Sequence, residues 1–268
     1  MKFTIDHDYH IHSRLSLCSD DPEQTPEAIL RYALENHLKK ICLTDHFWDE
    51  KVPGAIDWYK MQNLAYVKRI LPLPQDKDVQ FCFGVEAEMD KFFNVGIAVE
   101  TFDEFDFVVV PTTHLHMRGF TLEDGVTDNA VRAQLWFDRL AALLQMKLPW
   151  KKIGIAHLTC PLIGGADRKA HIRILEMLRE DSLQALFRRI AELGAGVELN
   201  FNSFAYEEEE LESVLRIYRI AKEEGCKFYL GSDAHHPAGL QKAYKNFENI
   251  VGLLQLEERD KFDLAERY

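Results

Sequence analysis

The sequence predicts an α/β fold in which parallel strands form a closed or nearly closed barrel inside a layer of helices. Three observations support this prediction: short β-rich runs alternate with amphipathic stretches, the β-rich runs number about seven, and no linker-like segment rich in Pro, Gly or Ser interrupts the chain. Such alternation implies parallel strands joined by right-handed crossovers. The 268 residues match the roughly 250 residues of one α/β barrel, so we expect a single domain over residues 1–268.

The predicted strands are apolar, β-branched and aromatic runs, each followed by polar or helix-starting residues. They are Phe3–His12, Lys40–Asp45, Val79–Met89, Phe107–Thr113, Lys152–His157, Ala195–Asn200 and Lys227–Asp233. A doubly wound open sheet is the alternative arrangement. Neither a Gly-x-Gly-x-x-Gly motif nor a P-loop follows the first strand, so the nucleotide-binding version of that sheet has no support.

Helix signals occupy the gaps between these strands. Thr25-Pro26-Glu27 provides an N-cap, an N1 proline and a first-turn acid, which predicts a helix to about Lys39. Closing glycines and helical spacing predict further helices over 181–194 and 207–224. The charged segment Leu256–Tyr268 predicts a terminal surface helix.

The net charge of −12 and the 47% hydrophobic content restrict the partners. Phosphate backbones require basic surface, so the charge argues against long nucleic acids, although metals and a few arginines could form a local site for a small anion. No run approaches the roughly 20 apolar residues of a membrane span, and Met1–Asp6 contains no signal-peptide core. We therefore expect a cytoplasmic protein with no membrane partner and with reduced cysteines.

Histidines and carboxylates follow the predicted strands at their C-terminal ends, where barrel active sites lie. His10 and His12 project to the same side of the first strand because side chains alternate; alone, this pair has an equally good structural explanation. The other groups are Thr44-Asp45-His46, Gly84-Val85-Glu86-Ala87-Glu88, Thr113-His114-Leu115-His116, Ala156-His157 and Ser232-Asp233-Ala234-His235-His236. Burying so many ionisable groups together without metal is costly, and imidazole with carboxylate suits Zn²⁺, Mn²⁺ or Fe²⁺.

These motifs resemble the PHP (polymerase and histidinol phosphatase) family. The resemblance rests on His-x-His in the first strand, Thr-Asp-His after the second, Gly-x-Glu in the third, single histidines after the fourth and fifth, and Ser-Asp-Ala-His after the last. The motifs follow the family's order from His10 to His235. The resemblance implies a distorted (β/α)₇ TIM-like barrel with two or three divalent metal ions (Zn, Mn or Fe) at its C-terminal face.

The resemblance also implies a ligand for each position of the metal cluster. The implied sets are His10, His12, Glu86 and Asp233 for the first metal, Glu86, His114 and His157 for the second, and His46 and His235 for the third. The third metal would take one more ligand from the loop after strand one, where the family often has a histidine or aspartate. This chain has Leu17 and Cys18 there; we expect Asp20 to serve, with Cys18 as the alternative.

The activity that the resemblance implies is hydrolysis of a small phosphate monoester by a metal-activated hydroxide, without a protein nucleophile. Asp233 and His235 are the candidates for protonating the leaving alkoxide. Histidinol phosphate is the leading substrate candidate, which would place the protein in histidine biosynthesis, because single-domain PHP proteins of this length resemble that phosphatase.

Substrate contacts are predicted from residues that follow the strand ends. Arginine suits phosphate, and three arginines lie in these loops, although a single loop arginine is more often merely solvated. The predicted contacts are Arg14, Arg118, Arg168, His116 and His236. Asp45 and Glu88 are interpreted as groups that orient imidazoles or water. The aromatic residues after the second strand are Phe47, Trp48, Trp58 and Tyr59. They either wall the pocket or pack in the core or against another subunit, and the last alternative would imply a homo-oligomer.

Three other functions are weighed. An amidohydrolase would normally use a strand-four lysine, and Phe107–Thr113 contains none. A PHP-type nuclease or nucleotide phosphoesterase is restricted to short substrates by the acidic charge. A non-catalytic, metal-stabilised module would be expected to have lost ligands, whereas here suitable residues occupy nearly every position.

Overall fold

Seven parallel β-strands follow one another around a single sheet in chain order. The computed structural model describes residues 1–165 and 167–264. The strands are β1 (His7–Ile11), β2 (Lys40–Phe47), β3 (Gln80–Ala87), β4 (Phe107–Pro111), β5 (Ile153–Ala156), β6 (Gly196–Leu199) and β7 (Lys227–Leu230). Each overlaps one of the seven predicted strands, so the strand assignment from sequence is confirmed.

The sheet curves until its last strand meets its first. The backbone N–H of His12 donates to the carbonyl of Ala234 at 3.1 Å, and the N–H of Asp233 donates to the carbonyl of His10 at 2.7 Å. Ile11 forms a parallel bridge with Ala234. These bonds satisfy backbone groups that an open sheet would leave unpaired at its edges. The predicted TIM-like α/β barrel of seven strands is therefore confirmed, and the open doubly wound sheet is excluded.

Helices surround this barrel. In the described residues they are α1 (Pro26–Glu35), α2 (Asp57–Lys60), α3 (Leu64–Val67), α4 (Asn129–Leu143), α5 (Arg168–Met177), α6 (Glu180–Leu193), α7 (Glu208–Glu223) and α8 (Pro237–Leu253). Short 3₁₀ turns occupy Lys68–Ile70, Val99–Glu104, Trp150–Lys152, Pro161–Gly164, Ser203–Ala205 and Glu258–Asp260. Over the described ranges, every helix is too short or too polar to cross a lipid bilayer.

The predicted start of α1 and the predicted closing glycine of α6 are present in the structure. The Thr25 side chain accepts from the Ala28 N–H at 3.2 Å and Pro26 begins α1, as predicted. The helix ends at Glu35, before the predicted Lys39, because His37 adopts a positive φ of 57° that no helix continues. At α6, Gly194 closes the helix with a φ of 77°.

The predicted terminal helix is wrong over its described part. Residues 258–260 form one 3₁₀ turn, after which Phe262 and Leu264 enter the barrel interior; residues 265–268 lie outside the described residues. The interior layer that they join is apolar and consists of Tyr9, Cys42, Cys82, Phe107, Val109, Ala156, Tyr229, Phe262 and Leu264. Burial of the Phe262 ring contributes roughly 2 kcal/mol, which outweighs a solvated helix turn. This end of the barrel is filled, and the C-terminal end carries the polar groups.

Candidate metal centre

The carboxylate of Glu86, in β3, lies among four imidazoles and is 1% exposed. Its Oε1 is 3.2 Å from Nε2 of His157 and 3.8 Å from Nε2 of His10. Its Oε2 is 2.8 Å from Nδ1 of His46 and 3.5 Å from Nε2 of His12. Each oxygen thus faces a different pair of nitrogens, an arrangement that suits a carboxylate shared between two cations.

Asp233 closes the cluster from the opposite side. Its Oδ1 lies 3.1 Å from Nε2 of His12, 3.5 Å from Nε2 of His10 and 3.6 Å from Nδ1 of His235. The backbone has positive φ at Asp233 (52°) and at His157 (27°), two candidate ligands. Such conformations cost about 1–3 kcal/mol each and persist where the surroundings impose them, often at functional sites.

Four groups of three side chains have ligand atoms that lie within 4.8 Å of one another. They are His12, His46 and His235; His10, His12 and Glu86; His10, His157 and Glu198; and Glu86, His114 and His157. All except His235 are buried. The folded chain therefore brings every imidazole that the sequence proposed as a ligand into one cluster.

Hydrogen bonds orient the imidazoles toward this cluster. Nδ1 of His114 lies 2.7 Å from Oε2 of Glu88, which also accepts from the Tyr59 hydroxyl at 3.0 Å. When Nδ1 carries the proton for such a bond, Nε2 presents its lone pair to the cluster, as a metal ligand must. Glu88 therefore takes the orienting part predicted for it.

Asp45 acts on His12 through a serine. Nδ1 of His12 lies 2.8 Å from the Ser16 hydroxyl, which donates to Oδ1 of Asp45 at 2.8 Å. Asp45 also accepts from the N–H and the hydroxyl of Ser13, both at 2.6 Å. The carboxylate thus holds the loop after β1 and, through Ser16, the ring of His12.

Glu198 in β6 was missed by the sequence reasoning. It is fully buried; Oε1 lies 2.6 Å from Nδ1 of His10, and Oε2 accepts from the His157 N–H at 2.6 Å. A Cβ at Gly231 would collide with this carboxylate and approach Cβ of His10 to 2.8 Å, so glycine is required there. The available signal was a single acid inside the otherwise apolar predicted strand 195–200.

Two unpartnered atoms test whether the residues fit a metal. Nδ1 of His46 and Oε2 of Glu86 are among the five buried side-chain polar atoms without a hydrogen-bond partner in the described residues, although they lie 2.8 Å apart. Unpaired buried polar atoms are costly. A cation bound by both would satisfy them at an ordinary separation for two ligands of one ion, and the residues therefore fit divalent metal ions.

The imidazoles around Glu86 and Asp233 favour the ionised form of both carboxylates. Burial alone would raise the pKa of Glu86, but His46 and His10 hold it well below its ordinary value. The pKa of Asp233 is likewise lowered by His10 and His12 against the effect of burial. Negative charge in a buried site requires positive charge nearby, which protons on the imidazoles or metal ions can supply.

The cluster forms the floor of a cavity of about 460 Å³. Its lining consists of Cys18, His46, Ile56, Trp58, Tyr59, Glu86, His114, His116, Met117, Leu162, Asp233 and His235. Trp58 and Tyr59, from α2, line its wall, which is the first of the two alternatives considered from the sequence. Phe47 instead packs on Phe105, at a ring-centroid distance of 5.3 Å, in the core.

Several predicted contacts lie elsewhere. None of the three predicted arginines lines the cavity. Arg168 pairs with Glu210 and covers the Tyr206 ring at 5.3 Å, so its charge is already satisfied. Arg118 lines a separate groove, and Arg14 is exposed.

Two further residues predicted at the site, His236 and Asp20, lie outside the cavity lining. His236 is exposed and precedes α8 as its N-cap, outside the cavity lining, whereas the predicted contact His116 does line it. Asp20 is exposed and does not line the cavity. Cys18, its alternative, lies beside His46 and His235. The loop therefore presents the thiol, and not the carboxylate, to the cluster.

Comparisons with known proteins agree with this arrangement. A family model of the PHP domain matches residues 8–202. The solved histidinol phosphate phosphatase (HisK) from Lactococcus lactis, complexed with Zn, L-histidinol and phosphate, superposes with a TM-score of 0.61 at 16% identity, covering 96% of this chain and 98% of that one. A candidate histidinol phosphatase, HisK from Listeria monocytogenes, gives 0.63 at 14% identity, covering 90% and 99%. No curated protein sequence gives a significant match.

Proposed function

This chain belongs to the PHP domain family, and from that premise we propose that it is a metal-dependent phosphatase, one domain over residues 1–268, that hydrolyses a small phosphate monoester. The observation that carries the proposal is the position of Glu86. Its two oxygens face different imidazole pairs, and one of them lacks a hydrogen-bond partner beside the equally unpartnered His46.

The proposed ligands are the residues of this cluster. They are His10, His12, His46, Glu86, His114, His157, Asp233 and His235. Two or three divalent ions bound there would supply Lewis acidity and neutralise the phosphoryl charge during attack by water. The mixture of imidazole and carboxylate ligands suits Zn²⁺, Fe²⁺ or Mn²⁺.

The chain's own residues perform the remaining tasks. Asp233 and His235 line the cavity, and we assign to one of them the relay that takes a proton from the attacking water and passes it to the leaving oxygen when the phosphorus–oxygen ester bond breaks. His116 lines the rim, where burial and the neighbouring His114 lower its pKa to about 4. A neutral His116 at pH 7 would accept a hydrogen bond from substrate or donate one through its N–H.

The cavity lining favours a substrate whose organic half is apolar or aromatic and carries no negative charge. Among the residues that the structure describes, no lysine or arginine lines the cavity, so we expect the phosphate charge to be met at the metal cluster. Trp58, Tyr59 and Met117 offer aromatic and sulfur surface to the organic half. Histidinol phosphate has such an organic half, a planar imidazole with a cationic amine, and is our leading candidate.

The test is a panel of phosphate monoesters on protein of measured metal content. We expect hydrolysis of p-nitrophenyl phosphate with Zn²⁺ or Mn²⁺, and a higher kcat/KM for histidinol phosphate than for esters with an acidic organic half. Release of phosphate from none of the esters, in protein that binds metal and is folded, would overturn the phosphatase. Equal kcat/KM across the panel would overturn the substrate alone.

A further inference from the structure

A thiol lies over the metal cluster where the family pattern often has a histidine or aspartate. Cys18 lines the cavity, and its Sγ is within hydrogen-bonding reach of the imidazoles of His46 and His235. Of the five cysteines, Cys42, Cys82 and Cys226 are buried in the core, and Cys160 does not line the cavity.

The loop holds this thiol from both sides. The Leu17 N–H donates to Oε1 of the buried Gln62 at 3.1 Å, and the Ser19 hydroxyl donates to the carbonyl of His235 at 2.5 Å. The Ser19 N–H also donates to the carbonyl of Ser16 at 2.8 Å. Ser19 therefore ties the loop to the same residue whose imidazole the thiol faces, and Cys18, although an exposed residue, lies beside that imidazole.

The imidazoles beside Cys18 have nitrogens to spare. Nδ1 of His235 lies 2.8 Å from the carbonyl of Asp233, which leaves Nε2 for another partner. His46 is 7% exposed, and its Nδ1 lies 2.8 Å from Oε2 of Glu86, which leaves Nε2 for another partner. With His12, these two rings offer nitrogens within 4.8 Å of one another.

We propose that Cys18 is a metal ligand whose thiolate, with His46 and His235, completes the third metal site of this chain. This inference rests on the proposed function, which requires the ions of the first and second metal sites. A thiolate is softer than carboxylate or imidazole and selects Zn²⁺ or Co²⁺ over Mn²⁺ and Mg²⁺. The chemical class of this ligand therefore makes one site of the cluster zinc-selective, whereas a carboxylate in the same place would accept Mn²⁺.

The test uses the full chain with Cys18→Ser, Cys18→Asp and, as a matched control, Cys160→Ser, another thiol after a strand end. Each protein is loaded with Co²⁺, its bound metal is counted, and its absorption is recorded. We expect a thiolate-to-cobalt charge-transfer band in the wild type and in Cys160→Ser. Cys18→Ser should lose the band and one equivalent of metal, and Cys18→Asp should lose the band, keep the ion and bind Mn²⁺ more readily.

A second measurement does not depend on activity or on the variants. Zn²⁺ should slow alkylation of Cys18 by iodoacetamide at least about tenfold, measured by peptide mass spectrometry, because a metal-bound thiolate is a poorer nucleophile. Identical spectra and metal counts for wild type and Cys18→Ser, or alkylation unaffected by Zn²⁺, would overturn the thiolate ligand. If phosphatase activity persists with that result, the proposed function stands; if no metal binds at all, both fail.

Discussion

Oε2 of Glu86 lies 2.8 Å from Nδ1 of His46, and neither atom has a hydrogen-bond partner among residues 1–165 and 167–264. A buried carboxylate and a buried imidazole at this separation are placed as two ligands of one cation. The same carboxylate reaches His157 through its other oxygen. Glu86 is therefore the residue on which the cluster depends most.

Replacing Glu86 with Gln should remove metal and activity together. The amide keeps the shape of the side chain and loses the charge shared by both oxygens, so kcat/KM should fall by more than the roughly 10–100-fold typical of residues that only support a ligand. Bound metal, measured by mass spectrometry of the elements, should fall by at least one equivalent. Full metal content in a folded Glu86→Gln protein would contradict the bridging position.

Glu198→Gln should weaken metal binding without abolishing it. Glu198 orients His10 through Nδ1 and holds the His157 backbone, so it is a positioning residue. Loss of such a partner costs roughly 10–100-fold in metal affinity, which competition with a fluorescent zinc chelator measures. The exposed Glu192→Gln variant on α6 is the control and should bind metal as the wild type does. Equal affinities in the two variants would refute the positioning.

Removal of metal should lower both activity and stability. Chelation removes the cations that the cluster's carboxylates and imidazoles would bind, whereas metal binding stabilises the folded chain by mass action. We expect phosphatase activity to disappear and the melting temperature to fall, with both restored by Zn²⁺. Metal affinity should fall as the pH falls, because protons compete for the same nitrogens. An unchanged melting temperature after complete chelation would argue against a metal held by this cluster.

Trp58→Ala should raise KM for substrates with an aromatic organic half. The indole walls the cavity and lies 5.3 Å from the His46 ring. Loss of one aromatic contact costs about 0.5–1.5 kcal/mol, which predicts a KM increase of up to about tenfold for histidinol phosphate. Phosphoserine, which has no ring, provides the comparison and should show little change. A fall in kcat alone, for both esters, would mean that Trp58 acts on the cluster and not on the substrate.

Asp6→Asn should destabilise the protein at neutral pH but not in strong acid. Burial would raise the Asp6 pKa, yet hydrogen bonds from His7 and Lys261 lower it from 3.8 to about 2. Because burial lowers the pKa of His7, that ring is neutral and donates its N–H, and Lys261 carries the charge. A lowered folded pKa stabilises the protein above the unfolded pKa of 3.8, and the contribution is lost as pH falls through about 2.

Unfolding by urea at pH 7 and below pH 2, on the acid side of the folded pKa, measures this difference. Since the Asp6 side chain is 30% exposed, we discount the shift for solvent screening and expect a loss of about 1 kcal/mol at pH 7. The fully exposed Asp57→Asn is the control. A loss that is the same at both pH values would assign the effect to packing and not to the carboxylate's charge.

Local sequence patterns determined the barrel and most of the candidate cluster. Side-chain positions repeat every two residues in a strand and every 3.6 in a helix, so the sequence pattern reveals both elements. Because the C-terminal ends of parallel barrel strands meet at one edge, the residues His46, Glu86 and His157 could be assigned to one barrel mouth from the sequence alone. The motif order from His10 to His235 then indicated the family.

Only the tertiary structure determined the positions of those side chains that are held by residues distant in sequence. Glu198 belongs to the site because β6 lies beside β5 and β7, and its partners His10 and His157 are far away in sequence. Cys18 faces the cluster and Asp20 faces solvent because Gln62 and His235 hold the loop between them. Arg168 is bound by Glu210. Loop side chains have no repeating geometry, so their positions follow from long-range contacts that local periodicity does not encode.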